Sequence, residues 1–134
     1  MKRVVLKLSG GFFSDTDSVF NAKRFSYLSG LLKDLSDRVQ FGIVVGGGNI
    51  YRGRELSISR VHGDLAGSIA TIINGLFLFD YLKSSGIGVE LFLPIQVPRV
   101  GHLYDRESAI KSLEGGNVNI YAGGTWNPYF STDM

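Results

Sequence analysis

The chain of 134 residues is long enough for one domain with a sizeable core and short for two. A hydrophobic content of 44% and a charged content of 19% are typical of a globular protein and exclude an intrinsically disordered chain. A formal charge of +2, evenly spread, argues against a nucleic-acid surface, and the absence of cysteine excludes disulfides and thiolate zinc sites. The two histidines lack metal-ligand spacing, so we predict no metal site. Without a signal peptide or a run of about 20 apolar residues, we expect a cytoplasmic protein that does not contact a membrane.

The first third of the chain contains two predicted strands with a helix between them. Arg3–Leu8 and Gln40–Val45 are short, valine-rich apolar runs, as expected of strands buried in a parallel sheet. Asn21 is a plausible N-cap for the helix. The helical spacing is carried by Phe25, Leu28, Leu31, Leu32 and Leu35.

A long apolar helix is predicted over Asp64–Lys83. One stripe of apolar residues is joined by further apolar side chains around the helix, so both sides should be buried. Either part of this helix contacts another subunit, or it is a core helix under the Leu93–Leu103 loop, and the sequence favours neither. The stripe consists of Leu65, Ile69, Ile72, Ile73 and Leu76.

The last third of the chain repeats the alternation. Val89–Phe92 and Val118–Tyr121 predict two more strands, and between them Asp105 can cap a short helix that Gly115 ends. Strands that alternate with helices predict an α/β fold with a parallel sheet.

Two glycine-dense loops directly follow predicted strands. Gly46–Gly48 comes after Gln40–Val45, and Gly123–Gly124 comes just after Val118–Tyr121. Glycine lets consecutive backbone N–H groups point at one anion, which suits phosphate binding. Because the carboxyl ends of parallel strands share one edge of a sheet, we expect these loops and the Lys7–Gly11 segment to line one crevice.

Three charged residues near these loops each have two interpretations. Lys7 could neutralise a transferring phosphoryl group or be a solvated charge at a strand end. Arg52 could bind phosphate oxygens or lie over Tyr51 at the surface. Asp64 could accept hydrogen bonds from ribose hydroxyls or be the N-cap of the long helix.

Together these motifs resemble those of the bacterial uridylate (UMP) kinases of the amino acid kinase superfamily, in order and spacing across nearly the whole chain. The most specific element is the loop Asn127–Asp133. The other matching elements are Lys7–Gly10, Gly46–Gly53, Arg60–Val61, Gly63–Asp64, Gly67, Ala70–Thr71 and Asn74.

The resemblance implies a three-layer αβα sandwich with a mainly parallel sheet, phosphoryl transfer from ATP with Mg²⁺ to UMP, and a ring-like homohexamer. It implies that three residues are catalytic, namely Lys7, Arg52 and Asp133, the last by orienting catalytic lysines. It assigns ATP and phosphate binding to Lys7, Leu8, Ser9, Gly10, Gly48 and Arg52. It assigns UMP binding to Gly47, Asp64, Thr125, Trp126, Asn127, Pro128, Tyr129, Phe130, Ser131 and Thr132.

The sequence departs from the family pattern at three points. Gly11 replaces a glutamate, Trp126 replaces a glycine, and family members continue past the position of Met134 through a second half that binds the adenine nucleotide. We therefore expect residues 1–134 to be a single domain, the UMP-binding half of such a kinase, which is inactive or weakly active alone. The alternatives are a nucleotide-binding or assembly module without chemistry, and another superfamily member such as a carbamate or acetylglutamate kinase.

Overall fold

A computed structural model describes residues 1–14, 20–51 and 59–124, and the structural statements below refer to these ranges. Strands and helices alternate along them, as the sequence predicts. In chain order the elements are β1 (Lys2–Leu8), α1 (Gly10–Phe13), α2 (Ala22–Leu35), β2 (Val39–Val45), α3 (Arg60–Ser84), β3 (Val89–Leu93), β4 (His102–Leu103), α4 (Arg106–Glu114) and β5 (Val118–Tyr121).

The five strands form one sheet in the order β1-β2-β5-β3-β4, and every neighbouring pair is parallel. The register aligns Leu8 with Val45 and pairs Ile120 with Ile43 on one side and Leu91 on the other. The carboxyl ends of β1, β2 and β5 are therefore neighbours at one edge of the sheet. The four predicted strands are confirmed, whereas β4 was missed because two residues carry no periodicity.

Helices cover both faces of the sheet. On β5, Ile120 faces α3, where a Cβ at Gly75 would lie 3.8 Å from its side chain. The next side chain along, that of Asn119, faces the other way and donates to the Ala109 carbonyl of α4 at 2.9 Å. This alternation along a strand gives the predicted three-layer αβα arrangement. Within the described ranges, α4 alone covers the second face.

Two predicted helix starts are confirmed, and one is wrong. The Asn21 side chain accepts from the backbone N–H groups at the start of α2, and the Asp105 side chain accepts from Ser108 N at 3.1 Å. The N-cap of α3, however, is Ser59, whose hydroxyl accepts from His62 N at 3.3 Å. Asp64 therefore lies inside the helix and is not its cap, because the helix continues through Gly63.

The buried face of α3 differs from the predicted apolar stripe. Of that stripe, Ile72 is buried, whereas Ile69 and Leu76 remain 49% and 38% exposed. The face that packs on the sheet mixes polar, small and apolar residues, so apolar spacing alone does not identify it. By length and composition alone α3 is long and apolar enough to cross a membrane, as the core helix of a soluble protein can also be, and here it packs against the sheet. The buried residues are Gly63, Ser68, Ala70, Thr71, Ile72, Asn74, Gly75, Leu78 and Leu82.

An aromatic cluster fixes α1, the short helix that follows β1. Phe13 is fully buried and meets Phe25 of α2 edge-to-face, with ring centroids 5.5 Å apart. Phe25 in turn contacts Tyr81 of α3 at 5.4 Å. Such aromatic contacts each stabilise by about 0.5–1.5 kcal/mol beyond area burial. The loop between β1 and α1 is thereby held against the rest of the fold.

Candidate functional site

The loops after β1 and β2 pack against each other without space for a side chain. Gly46 N donates to the Leu8 carbonyl at 2.7 Å. A Cβ on Gly10 would lie 2.5 Å from the backbone nitrogens of both Gly48 and Asn49, so only glycine fits there. Backbone nitrogens of the loop after β2 therefore lie close to Gly10 at the carboxyl edge of the sheet, where glycine-rich turns can bind an anion.

The residues predicted at the phosphates occupy different environments around this contact. Lys7 and Ser9 are exposed, as expected of groups that meet a ligand. The Leu8 side chain is only 9% exposed and belongs to the core, and its carbonyl already accepts from Gly46. Leu8 therefore contributes to the crevice through the path of its backbone.

Asn74 of α3 holds the glycine loop after β2. This residue is fully buried, and its side-chain amide donates to the Gly46 carbonyl at 2.7 Å. The side-chain amides of Asn74 and Asn49 also exchange hydrogen bonds, at 2.7 and 3.2 Å. Buried polar groups of this kind are stable only when their partners are in place.

Gly47, predicted at UMP, packs directly on α3. A Cβ at this position would lie 2.8 Å from Thr71 N and 2.9 Å from Ala70 Cβ, so a larger residue would push the loop off the helix. Its carbonyl accepts from Ile50 N and Tyr51 N at 3.0 and 3.1 Å, which closes the turn. The loop after β2 is thus fixed on both sides.

The loop after β5 is fixed by the same helix. Gly123 has φ +96°, a left-handed conformation that favours glycine, and an added Cβ would lie 2.6 Å from Pro94. Its N–H donates to the Thr71 hydroxyl at 2.7 Å, and this hydroxyl donates to the Ser68 carbonyl at 2.7 Å. The loops after β2 and β5 therefore both contact α3 at Thr71, and the loop after β1 packs on the loop after β2.

Asp64 projects from the second turn of α3. Its side chain is 26% exposed, and Arg60 Nε lies 3.7 Å from its Oδ2. The other predicted residues lie outside the described ranges. They are Arg52, Thr125, Trp126, Asn127, Pro128, Tyr129, Phe130, Ser131, Thr132 and Asp133.

His102 and Glu90 contact each other away from these loops. His102 Nε2 lies 2.5 Å from Glu90 Oε2, where β3 and β4 pair. In the described ranges, no group of three or more His, Cys, Asp or Glu side chains could hold a metal ion.

Thr71 and Asn74 take part in the site although sequence reasoning gave them no role. Both belong to a matching motif, but a motif match alone does not say what a side chain holds. The usable signal was their spacing, because Ser68, Thr71 and Asn74 recur every third residue on a helix that is otherwise strongly apolar. Polar residues so placed on a buried helix need specific partners.

Comparisons with known proteins agree with the sequence motifs. Residues 2–133 match the family model described as the amino acid kinase family. The chain is 36% identical to the uridylate kinase of Bacteroides thetaiotaomicron and 39% identical to that of Parabacteroides distasonis, each over 137 residues. Both alignments cover 98% of this chain and 58% of the relative, so the chain spans under three fifths of their length.

Solved structures resemble the fold closely. The UMP kinase from Ureaplasma parvum superposes with a TM-score of 0.90 at 32% identity, and that from Bacillus anthracis with 0.89 at 37%. These superpositions cover 98% of this chain and 59% and 56% of the respective structures. The similarity therefore extends over the whole described architecture.

Proposed function

This chain belongs to the amino acid kinase family, and from that premise we propose that it serves phosphoryl transfer from ATP to UMP. The observation that carries the proposal is the contact of the two glycine loops at the carboxyl edge of β1 and β2. Phosphoryl transfer depends mainly on positioning and on neutralising the phosphate charge. Closely packed glycine loops beside the exposed Lys7 of β1 suit both requirements. The names of the relatives favour UMP over carbamate or acetylglutamate as the acceptor.

The proposed roles follow the predicted ones. Lys7, Ser9 and Gly10 face the transferring phosphates, with the Leu8 backbone, Gly48 and Arg52 at the donor. Asp133 orients the catalytic lysines. MgATP is the donor substrate. UMP is held by Gly47, by Asp64 through ribose hydroxyls, and by residues 125–132.

We further propose that residues 1–134 form one domain that binds UMP, in a cytoplasmic homo-oligomer. The relatives extend over a further two fifths of their length. Efficient turnover is proposed to need the polypeptide that corresponds to this remainder. The chain alone should therefore bind UMP and convert ATP and UMP to ADP and UDP slowly or not at all.

Calorimetry with UMP, paired with a coupled assay for UDP, tests this proposal. Uridine is the matched ligand control, because it lacks the phosphate that the glycine loops would bind. We expect UMP to bind at least tenfold more tightly than uridine, from one or more charge-assisted hydrogen bonds. Absence of UMP binding would contradict the proposal. Binding without turnover in any longer form of the protein would instead support a module without chemistry.

A further inference from the structure

We propose that Thr71 and Asn74 of α3 are positioning residues that set the separation between the loop after β2 and the loop after β5. The inference rests on the proposed function, because its expected consequence is a change in the affinity for UMP. Neither side chain is exposed. Each holds a different loop, and they lie three residues apart on the same helix face, so the two loops share one rigid support.

Thr71 contacts both loops, so a shift of its side chain or backbone would move them. Its hydroxyl accepts from Gly123 N at 2.7 Å and donates to the Ser68 carbonyl at 2.7 Å, so both of its polar functions are used. Its backbone nitrogen also supports Gly47, which has no Cβ to hold it away. Gly47 and the segment that starts after Gly124 are the two parts assigned to UMP. Thr71 therefore contacts one residue of each loop, Gly47 and Gly123.

Asn74 acts on the glycine loop alone. Its side-chain hydrogen bonds to the Gly46 carbonyl and with the Asn49 side chain hold the turn that packs against the β1 loop. Removing that amide would take away the side-chain hydrogen bonds that hold this loop, leaving the packing of Gly47 on α3 and the Gly123 contact in place. Substitutions of the two side chains can therefore distinguish the contribution of the loop after β2 from that of the loop after β5.

The test compares variants that remove one buried hydroxyl each. Thr71→Val keeps the side-chain shape and leaves Gly123 N–H without its acceptor, whereas Thr71→Ser keeps the hydroxyl. Ser112→Ala is the matched control, because Ser112 donates from a buried position to Asn119 at 2.6 Å on the other face of the sheet. All three are measured by thermal unfolding and by UMP calorimetry below the unfolding range.

We expect Thr71→Val to weaken UMP binding about fivefold or more, and Thr71→Ser to restore it to within about twofold. Ser112→Ala should lower stability and leave UMP affinity unchanged. A second variant, Asn74→Ala, should also weaken UMP binding. If Thr71→Val and Ser112→Ala lose stability alike and both keep the affinity, Thr71 is merely structural and the inference is wrong.

Amide hydrogen exchange tests the loop contact independently of any ligand. In the unmodified chain the Gly123 amide should exchange slowly, and Thr71→Val should accelerate it while core amides of β5 stay protected. A fast-exchanging Gly123 amide in the unmodified chain would overturn the inference even if Thr71→Val failed to fold. Absence of UMP binding by the unmodified chain would instead refute the proposed function, and exchange would then decide the loop contact alone.

Discussion

The adjacent residues Gly10 and Gly11 differ in the space available for a side chain. A Cβ on Gly10 would clash with Gly48 N and Asn49 N at 2.5 Å, whereas a Cβ on Gly11 would meet only the Ser9 hydroxyl at an ordinary 3.6 Å. Gly10→Ala should therefore destabilise the fold by about 1–3 kcal/mol, the usual range for overpacking, because backbone atoms cannot move aside easily. Gly11→Ala should be neutral or slightly stabilising. Urea unfolding of the pair measures this, and equal stability of the two variants would contradict the loop contact.

The structure excludes Asp64 as the N-cap of α3, because Ser59 caps that helix. Binding of ribose hydroxyls remains as its proposed role. Asp64→Asn should weaken UMP binding by roughly 1.5–3 kcal/mol if the carboxylate accepts ribose hydroxyls, the range for hydrogen bonds to a charged group. Stability should change by only a few tenths of a kcal/mol, since an i,i+4 ion pair near the surface contributes little. Calorimetry with the folded Asp64→Asn variant measures its affinity for UMP.

Arg60→Gln is the matched control for Asp64→Asn. It removes the same ion pair and keeps the carboxylate, so UMP affinity should stay near that of the unmodified chain. Equal losses in the two variants would show that the pair, and not the carboxylate, matters. Unchanged affinity in Asp64→Asn would remove Asp64 from the proposed acceptor site.

The surroundings of a single residue could be predicted from the sequence where its residue type has one main structural role. The three consecutive glycines Gly46–Gly48 predicted a close backbone approach, and Gly47 does pack directly against α3. The roles of Thr71 and Asn74 could not be predicted, because a buried polar side chain has meaning only through partners 25 to 52 positions away. Those partners are set by the fold and are not visible in local spacing.

The N-cap of α4 leads to a prediction that depends on pH. Hydrogen bonds from the side chain and the backbone amide of Ser108 hold the pKa of Asp105 below its ordinary value of 3.8. A carboxyl with a lowered folded-state pKa stabilises the fold above its unfolded pKa, and this contribution disappears as the pH falls through the folded-state value. Asp105→Ala should therefore lower the unfolding midpoint at pH 7, and the difference from the unmodified chain should shrink well below pH 4.

Asp105→Asn separates the charge from the hydrogen bond. Asparagine caps a helix about as well as aspartate, so its midpoint at pH 7 should lie close to that of the unmodified chain. Its contribution should not vary with pH, because the amide does not titrate. A midpoint for Asp105→Ala equal to that of Asp105→Asn at pH 7 would show that the cap contributes nothing measurable.

Helix boundaries were predictable where a capping residue directly precedes the periodic pattern. Asn21 and Asp105 do so, and both are confirmed. For α3 the first turn contains Arg60, His62 and Gly63, which interrupt the apolar pattern, so Asp64 looked like the start. The hydrogen bond from Gly63 N to the Ser59 carbonyl at 2.8 Å shows that helix geometry continues through the glycine. Gly63 is buried, so tertiary packing outweighs its weak helix propensity there.

For the whole molecule, the α/β class and the parallel sheet followed from alternating runs, because buried parallel strands are short and almost wholly apolar. The strand order did not follow, since β5 lies between β2 and β3 although it is last among the described strands. This order brings the loop after β5 next to the glycine loop after β2. The juxtaposition of these loops is therefore a product of topology that local sequence patterns do not encode.

The apolar residues that α3 leaves uncovered lead to a prediction about assembly. Ile69 and Leu76 lie seven residues apart on one exposed side of the helix, and such a row on the surface favours association. Phe77 is a poorer probe although it is 48% exposed, because its ring stacks on Phe20 with centroids 4.0 Å apart. We therefore expect the chain to form a dimer or larger assembly at micromolar concentration through this side of α3.

Ile69→Glu should dissociate that assembly and leave the fold intact. A carboxylate buried without a partner in an apolar contact costs several kcal/mol, whereas in the monomer position 69 is half exposed and the charge stays hydrated. Tyr27→Glu is the control, since Tyr27 is 73% exposed on α2 and should leave the mass unchanged. Sedimentation equilibrium measures the mass and circular dichroism the fold. A folded monomer for the unmodified chain would show that this helix serves only the core, and an unchanged mass for Ile69→Glu would place the contact elsewhere.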